Sequence, residues 1–255
     1  MFRKRERIEI KTPAQLAVMR QAGLVVARTL ALVAAEVRAG ITTAELDEVA
    51  AESIRSEGAL PSFLGYHGFP AHICVSVNDE VVHGIPGARV LSEGDLVSID
   101  CGAIVDGWHG DAALSVPVGS VAAELLELSR VTEQSLVAGI AAAVAGGHIG
   151  DIGYAVEQYV RSQGPYGIVE DYVGHGIGTA MHMSPSVPNY GRRGEGPLIR
   201  EGMALAIEPM VTLGAADTKV LSDDWTVVTA DGRPAAHWEH SVAITADGPV
   251  VLTAL

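Results

Sequence analysis

Cysteine is scarce in this chain: Cys74 and Cys101 are the only two in 255 residues, too few for a disulfide framework. Uninterrupted apolar length is scarce as well. The most apolar later stretch, 135–147, is too short to cross a bilayer, and the stretch 23–40 is broken by Arg28, Glu36 and Arg38. The first residues are basic, but no apolar segment follows them as it would in a secretory signal. Positive charge is also in short supply. The chain has 17 Lys and Arg against 31 Asp and Glu, a net charge of −14, which argues against a nucleic-acid or anionic-membrane partner. The one basic cluster, Arg3, Lys4, Arg5 and Arg7, reads as a solvated arm. No H-E-x-x-H, G-x-S-x-G, P-loop or G-x-G-x-x-G pattern is present. The two cysteines lack a partner pattern for zinc or redox chemistry. What remains is a globular composition, 48% hydrophobic and 19% charged, with enough length for a sizeable core. A soluble, cytoplasmic protein is expected.

The chain echoes itself. Leu91-Ser-Glu-Gly-Asp-Leu-Val-Ser-Ile-Asp100 resembles Ile199-Arg-Glu-Gly-Met-Ala-Leu-Ala-Ile-Glu208, which sets Asp100 against Glu208. Ile54-Arg-Ser-Glu-Gly58 matches Val160-Arg-Ser-Gln-Gly164, and Val82-His-Gly-Ile85 matches Gly174-His-Gly-Ile177, setting His83 against His175. The three echoes keep the same order in both halves, which points to duplication. Thr12-Pro13 predicts a helix N-terminus, with the helix running to about Arg38 before Gly40. Thr42-Thr-Ala-Glu45 is a capping box for a second helix ending near Gly58. The second half repeats this with helices over about 122–144 and 151–162. Short β-rich runs follow each helix pair, so an α+β fold is expected.

Several acids stand where apolar strands are expected. Leu96-Val-Ser-Ile-Asp100 and Ala204-Leu-Ala-Ile-Glu208 read as strands ending in a charge, and Asp111 and Glu239 follow in apolar or aromatic company. An ionised carboxylate in such a place is costly unless its charge is cancelled. If the two halves face each other, four carboxylates converge, and cations are the simplest counter-charge. Oxygen donors with one or two imidazoles suit Mn, Fe, Co or Zn, and four acids suggest two ions with bridging carboxylates. Gly174-His-Gly-Ile-Gly178 sets His175 between glycines, and His182 follows. His67, His72, His109, His148 and His237 are read as structural.

These motifs together resemble type I methionine aminopeptidases, with details nearest to actinobacterial members. The resemblance is carried by Ser76-Val-Asn-Asp-Glu-Val-Val-His-Gly-Ile-Pro86, Ile99-Asp100 with Gly107-Trp-His-Gly-Asp111, Gly174-His-Gly-Ile-Gly178 with His182, Ile207-Glu-Pro-Met210, and Glu239-His240. It implies the pita-bread fold, two pseudo-symmetric halves around a dinuclear site. One catalytic domain over 1–255 is expected, with pseudo-repeats at about 12–118 and 120–250. The resemblance implies two divalent ions held by Asp100, Asp111, His175, Glu208 and Glu239. Asp111 and Glu239 would bridge both, Asp100 would hold one, and His175 with Glu208 the other.

The same resemblance implies catalytic roles for His83, His182 and Glu208, with hydroxide held between the ions as nucleophile. A methionine pocket would be lined by Tyr66, Phe69, Cys74, Met181 and Trp225, with Phe63 nearby. The implied activity is removal of initiator methionine from nascent polypeptides with a small second residue, by a monomer in transient contact with the ribosome. The chain departs from the family at Met181, Gly102, Ala112-Ala113 and Met183-Ser184, none of them a metal ligand. Two rival readings share the motifs: a prolidase or aminopeptidase P, and a pita-bread protein that binds without catalysis.

Overall fold

A computed structural model of the chain describes residues 8–255; the basic cluster at Arg3–Arg7 lies outside the described residues. Helix α1 (Pro13–Glu36) starts at a Thr12 cap, whose hydroxyl accepts from the Gln15 N–H while the Gln15 amide oxygen accepts from the Thr12 N–H. Helix α2 (Thr43–Ser56) starts at the capping box read from sequence, with Thr42 N–H donating to Glu45 Oε2 at 2.7 Å. Helices α3 (Ala123–Ala142) and α4 (Ile149–Gln163) repeat the pair. Helix boundaries shift from expectation by about two residues, as at α1 and α4. Helix α1 stops at Glu36 rather than near Arg38, because the chain is drawn out so that Gly40 N–H reaches Leu91 O at 2.9 Å. Helix α4 opens two residues early, because Asp151 Oδ2 reaches back to the His148 N–H at 2.7 Å.

The strands are β1 (Leu60–Pro61), β2 (Ile73–Val77), β3 (Glu80–Val82), β4 (Leu96–Val105), β5 (Trp108–Pro117), β6 (Gly167–Ile168), β7 (Gly174–Gly176) and β8 (Met183–Val187). They continue as β9 (Ala204–Ile207), β10 (Met210–Thr212), β11 (Thr218–Val220), β12 (Val227–Thr229), β13 (Ala235–His237), β14 (Glu239–Thr245) and β15 (Gly248–Val251). The main sheet runs β1-β4-β5-β14-β9-β7-β8, with β2 also on β4 and β15 on β14. Its centre, β4-β5-β14-β9, is a palindrome of the two halves. The repeated segments that carry Asp100 and Glu208 occupy the two outer strands of this quartet.

Side chains alternate across a pleated sheet, and both faces of this one are used. On β4, Val97, Ile99, Cys101 and Ala103 pack into a core with Val25, Val26 and Leu30 of α1 and Leu46 and Ala50 of α2. Across the seam, Leu205 and Ile207 of β9 and Val242 and Ile244 of β14 pack with Leu136 of α3 and Ile149 and Ile152 of α4. Both helix pairs therefore cover one face, and Ser98, Asp100 and Gly102 point to the other. Asp100 is not a strand-end residue as expected. Cys101-Gly-Ala-Ile-Val105 continues β4 in register with β5, so Asp100 sits within the ladder.

Helix α1 is long and apolar enough to cross a membrane by length and composition, but here its apolar residues pack on β4 and β5. The C-terminal segment after β15 also passes close enough to α1 to need glycine there. A Cβ on Gly23 would stand 2.1 Å from the Leu252 carbonyl oxygen. Alanine there gains about 1 kcal/mol of helix propensity and loses more to overpacking against backbone. Gly23→Ala is therefore expected to lower stability by about 2 kcal/mol, measured as a lower urea midpoint at unchanged m-value.

Candidate metal centre

The register decides which residues meet. Asp100 pairs with Ala113, and Ala113 pairs with Glu239. The β14–β9 ladder ends with His240 opposite Ile207, so one step further sets Glu239 beside Glu208. On the other side, Cys74 pairs with Asp100. Cys74, Asp100, Ala113, Glu239 and Glu208 therefore form one row across five chain segments. Asp111 pairs with Gly102, two residues from Asp100, and His175 pairs with Ala206, two residues from Glu208. Period-two alternation puts both on the same face as the row. Ala113 fills the gap between Asp100 and Glu239 with a methyl group.

Asp100, Asp111, His175, Glu208 and Glu239 are all buried. They form the floor of a cavity of about 290 Å³ whose other lining includes His83, His182, Tyr66, Phe69, Cys74, Met181 and Trp225. Every site residue expected from sequence borders this one space. Phe63, Val82 and His67 line it too.

The electrostatics of the floor call for a cation. Burial, above all, raises the Asp100 carboxyl to about 7, and Glu208 to about 8. Burial and then the neighbouring acids push Asp111 and Glu239 well above the carboxylate range. Asp100 Oδ1, Asp111 Oδ1 and Glu239 Oε1 are buried without a hydrogen-bond partner, and buried polar atoms are rarely left so. Donor atoms of Asp111, His175 and Glu239 lie within 4.8 Å of one another, as do those of Glu208, His237 and Glu239. Glu239 belongs to both groups. His175 is prepared as a ligand: its Nδ1 faces the Gly176 carbonyl at 3.0 Å, which places the proton on Nδ1 and leaves the Nε2 lone pair free. Burial, then His182, holds this imidazole neutral, down to about 3. The oxygen-rich donor set with unpaired oxygens fits divalent metal.

Backbone bonds hold the floor in place. Ser241 Oγ accepts from the Asp111 N–H at 3.0 Å and donates to the Asp111 carbonyl at 2.8 Å. Asn189 Nδ2 donates to the Glu208 carbonyl at 3.0 Å. The two upper histidines are also fixed. His83 has φ of +62°, a left-handed conformation that costs about 1 kcal/mol or more. It is held because Gly84 docks on β2, its carbonyl accepting from Val75 N–H at 2.9 Å and its N–H donating to Ser76 Oγ at 3.1 Å. A Cβ on Gly84 would lie 2.3 Å from the Val75 oxygen. His182 Nδ1 lies 2.9 Å from Tyr66 Oη.

The histidines read as structural divide. His72 pairs with Asp47 at 2.8 Å and is not among the residues lining the cavity. The His148 backbone caps α4. His109 Nδ1 meets Ser62 Oγ at 2.9 Å. His67 reaches the cavity. His237 is the correction: it lies among the floor acids, 3.6 Å from Glu208. No local signal marked it, because His237 ends β13 and Glu239 begins β14 in a different sheet, so no single alternation links them.

Residues 17–246 match the model of metallopeptidase family M24. The chain belongs to this family. It is 52% identical to methionine aminopeptidase 1 of Mycobacterium tuberculosis, over 99% of this chain and 97% of that protein. It is 48% identical to methionine aminopeptidase 1 of Bacillus subtilis, over 95% and 98%. The crystal structure of Thermotoga maritima methionine aminopeptidase superposes with a TM-score of 0.96 at 41% identity, covering 98% of this chain and all of that one. Prolidase from Pyrococcus furiosus shares the fold, with a TM-score of 0.77 at 20% identity. This is the pita-bread fold expected for family M24.

Metal must displace protons from this floor, because ligands bind deprotonated. The raised carboxyls set the sign: affinity falls as pH drops below about 7, where Asp100 and Glu208 hold protons. Calorimetric titration with Co(II) between pH 6 and 7 should show affinity rising by about tenfold or more per pH unit, with proton release read from its dependence on buffer ionisation enthalpy. A flat profile would mean that the acids are already ionised without metal.

Proposed function

We propose that the chain acts as a single catalytic domain, 1–255, that releases N-terminal methionine from newly made polypeptides with a small second residue. Its pseudo-repeats, about 12–118 and 120–250, each supply one side of the centre. The observation that carries this reading is the convergence of four buried carboxylates and one prepared imidazole beneath an apolar pocket. Asp100, Asp111, His175, Glu208 and Glu239 would hold two divalent ions, with Glu239 common to both groups of converging donors. Mn, Fe, Co and Zn all suit these donors. Bound there, such ions would supply Lewis acidity for the scissile carbonyl and bring the pKa of a coordinated water toward 7.

The protein groups do the rest. Phe69, Tyr66, Trp225, Cys74 and Met181 form a pocket for a flexible thioether chain, with aromatic edges for sulfur contacts. The floor carboxylates accept the free α-amino group, which restricts cleavage to the first residue. With the Tyr66 hydroxyl donating to its Nδ1 at 2.9 Å, His182 carries its proton on Nε2. From there it donates to the oxyanion as the carbonyl becomes tetrahedral, a contact worth about 3 kcal/mol. Burial first, then His237 and His182, lowers His83 to about 4. It is therefore neutral at pH 7 and hydrogen-bonds the scissile amide. Glu208 takes the proton from water and returns it to the leaving amine. The enzyme works in the cytoplasm on nascent chains.

Release of methionine from Met-Ala-Ser should depend on added Co(II) or Mn(II), with Met-Lys-Ser and X-Pro peptides turned over at least about a hundredfold more slowly. Glu208→Ala should abolish turnover. An enzyme that prefers X-Pro peptides would be a prolidase instead.

One departure shapes the pocket. A Cβ on Gly102 would lie 2.8 Å from Phe63 Cε1, so glycine makes room for the Phe63 ring in the wall. Gly102→Ala should push that ring into the pocket and raise KM for Met-Ala-Ser by about fivefold or more, with Co(II) affinity unchanged.

A further inference from the structure

The His237 ring is only 1% exposed, yet its Nε2 has no hydrogen-bond partner. A buried N–H left unpaired costs about 1–3 kcal/mol, so this atom needs a role. Its neighbour is Glu208. His237 Nε2 lies 3.6 Å from Glu208 Oε2, and His175 Nε2 lies 3.6 Å from Glu208 Oε1. One carboxylate is thus bracketed by two imidazoles, one at each oxygen.

The two rings are not equivalent. His175 lines the cavity and His237 does not, while Glu208, between them, does. His237 therefore adjoins Glu208 from outside the cavity lining. Its backbone is pinned: the His237 N–H is 3.1 Å from Ser115 Oγ and 3.3 Å from Ser98 Oγ, and Ser115 Oγ donates to the His237 carbonyl at 3.0 Å. The Glu208 backbone is pinned as well, through Asn189 at 3.0 Å. With both backbones fixed, only a small turn of the carboxylate separates the 3.6 Å gap from a hydrogen bond.

We propose that His237 is a positioning residue of the metal centre, its Nε2–H donating to Glu208 Oε2 and so turning Oε1 toward the cation beside His175. Glu208 needs this more than the other acids, because it lies just past the end of β9 and outside the sheet ladder. Outer partners of this kind typically change metal affinity by about 10- to 100-fold. The inference rests on Glu208 being a ligand.

The test is Co(II) binding to the full chain, by calorimetry and visible absorption. His237→Gln keeps an N–H donor and should bind Co(II) within about threefold of wild type. His237→Leu keeps bulk but has no donor, and should bind about 10- to 100-fold more weakly. X-ray absorption of the wild-type di-cobalt protein should show one imidazole per two ions, His175 alone. Wild-type affinity in His237→Leu would overturn the proposal. So would an equal loss in both variants together with a second imidazole in the wild-type spectrum, which would make His237 a direct ligand. If His237→Leu fails to fold, as judged by thermal unfolding of the metal-stripped protein, the Gln variant and the wild-type imidazole count still decide. No Co(II) binding by wild type would instead sink the metal-centre reading itself.

Discussion

Four carboxyl groups buried on one face of one sheet are the constraint on which the rest of this molecule depends. Burial alone pushes all four toward their protonated forms, and their mutual repulsion adds to this for Asp111 and Glu239. Such a floor is stable either protonated or metal-loaded. Everything around it suits the loaded state: the Nε2 lone pair of His175, the unpaired oxygens, and serine and asparagine contacts that fix the backbone of Asp111 and Glu208. A catalyst gains from this rigidity, because its charge-stabilising groups need no reorganisation during reaction.

The sheet solves two packing problems with one alternation. Its apolar residues meet the helix pairs, and its polar ones meet the cleft. The palindromic quartet β4-β5-β14-β9 means that each half brings an outer and an inner strand to the seam. The seam thus sets two strand acids, Asp100 and Glu208, on opposite walls of one site. Asp100 and Asp111 come from the first half, and His175, Glu208 and Glu239 from the second.

The cavity's histidines are each oriented in a different way. His175 is oriented by a backbone carbonyl, His182 by a phenol, and His83 by a left-handed turn that Gly84 makes room for. His237, outside the cavity lining, was the one whose place in the site the residue type alone did not reveal. Phe63 and Gly102 show the same interdependence in the apolar wall, where a large ring is accommodated by a missing side chain on the neighbouring strand.

Much of this was legible from residue order. The caps at Thr12 and Thr42, the helix pairs, the internal echo and the acids in apolar runs are local features, set by propensity and period. The motif resemblance extended that reading to ligands and pocket residues. What residue order could not supply was register. Whether Asp111 shares a face with Asp100, or Glu239 with Glu208, depends on which residues pair across strands far apart in sequence, and a slip of one residue reverses every side chain. The same holds for Asp100 sitting within β4 rather than at its end, and for His237, which only the meeting of β13 with β10 brings beside Glu208. Sequence alone determined which chemistry was available; the tertiary pairing decided which atoms stand close enough to use it.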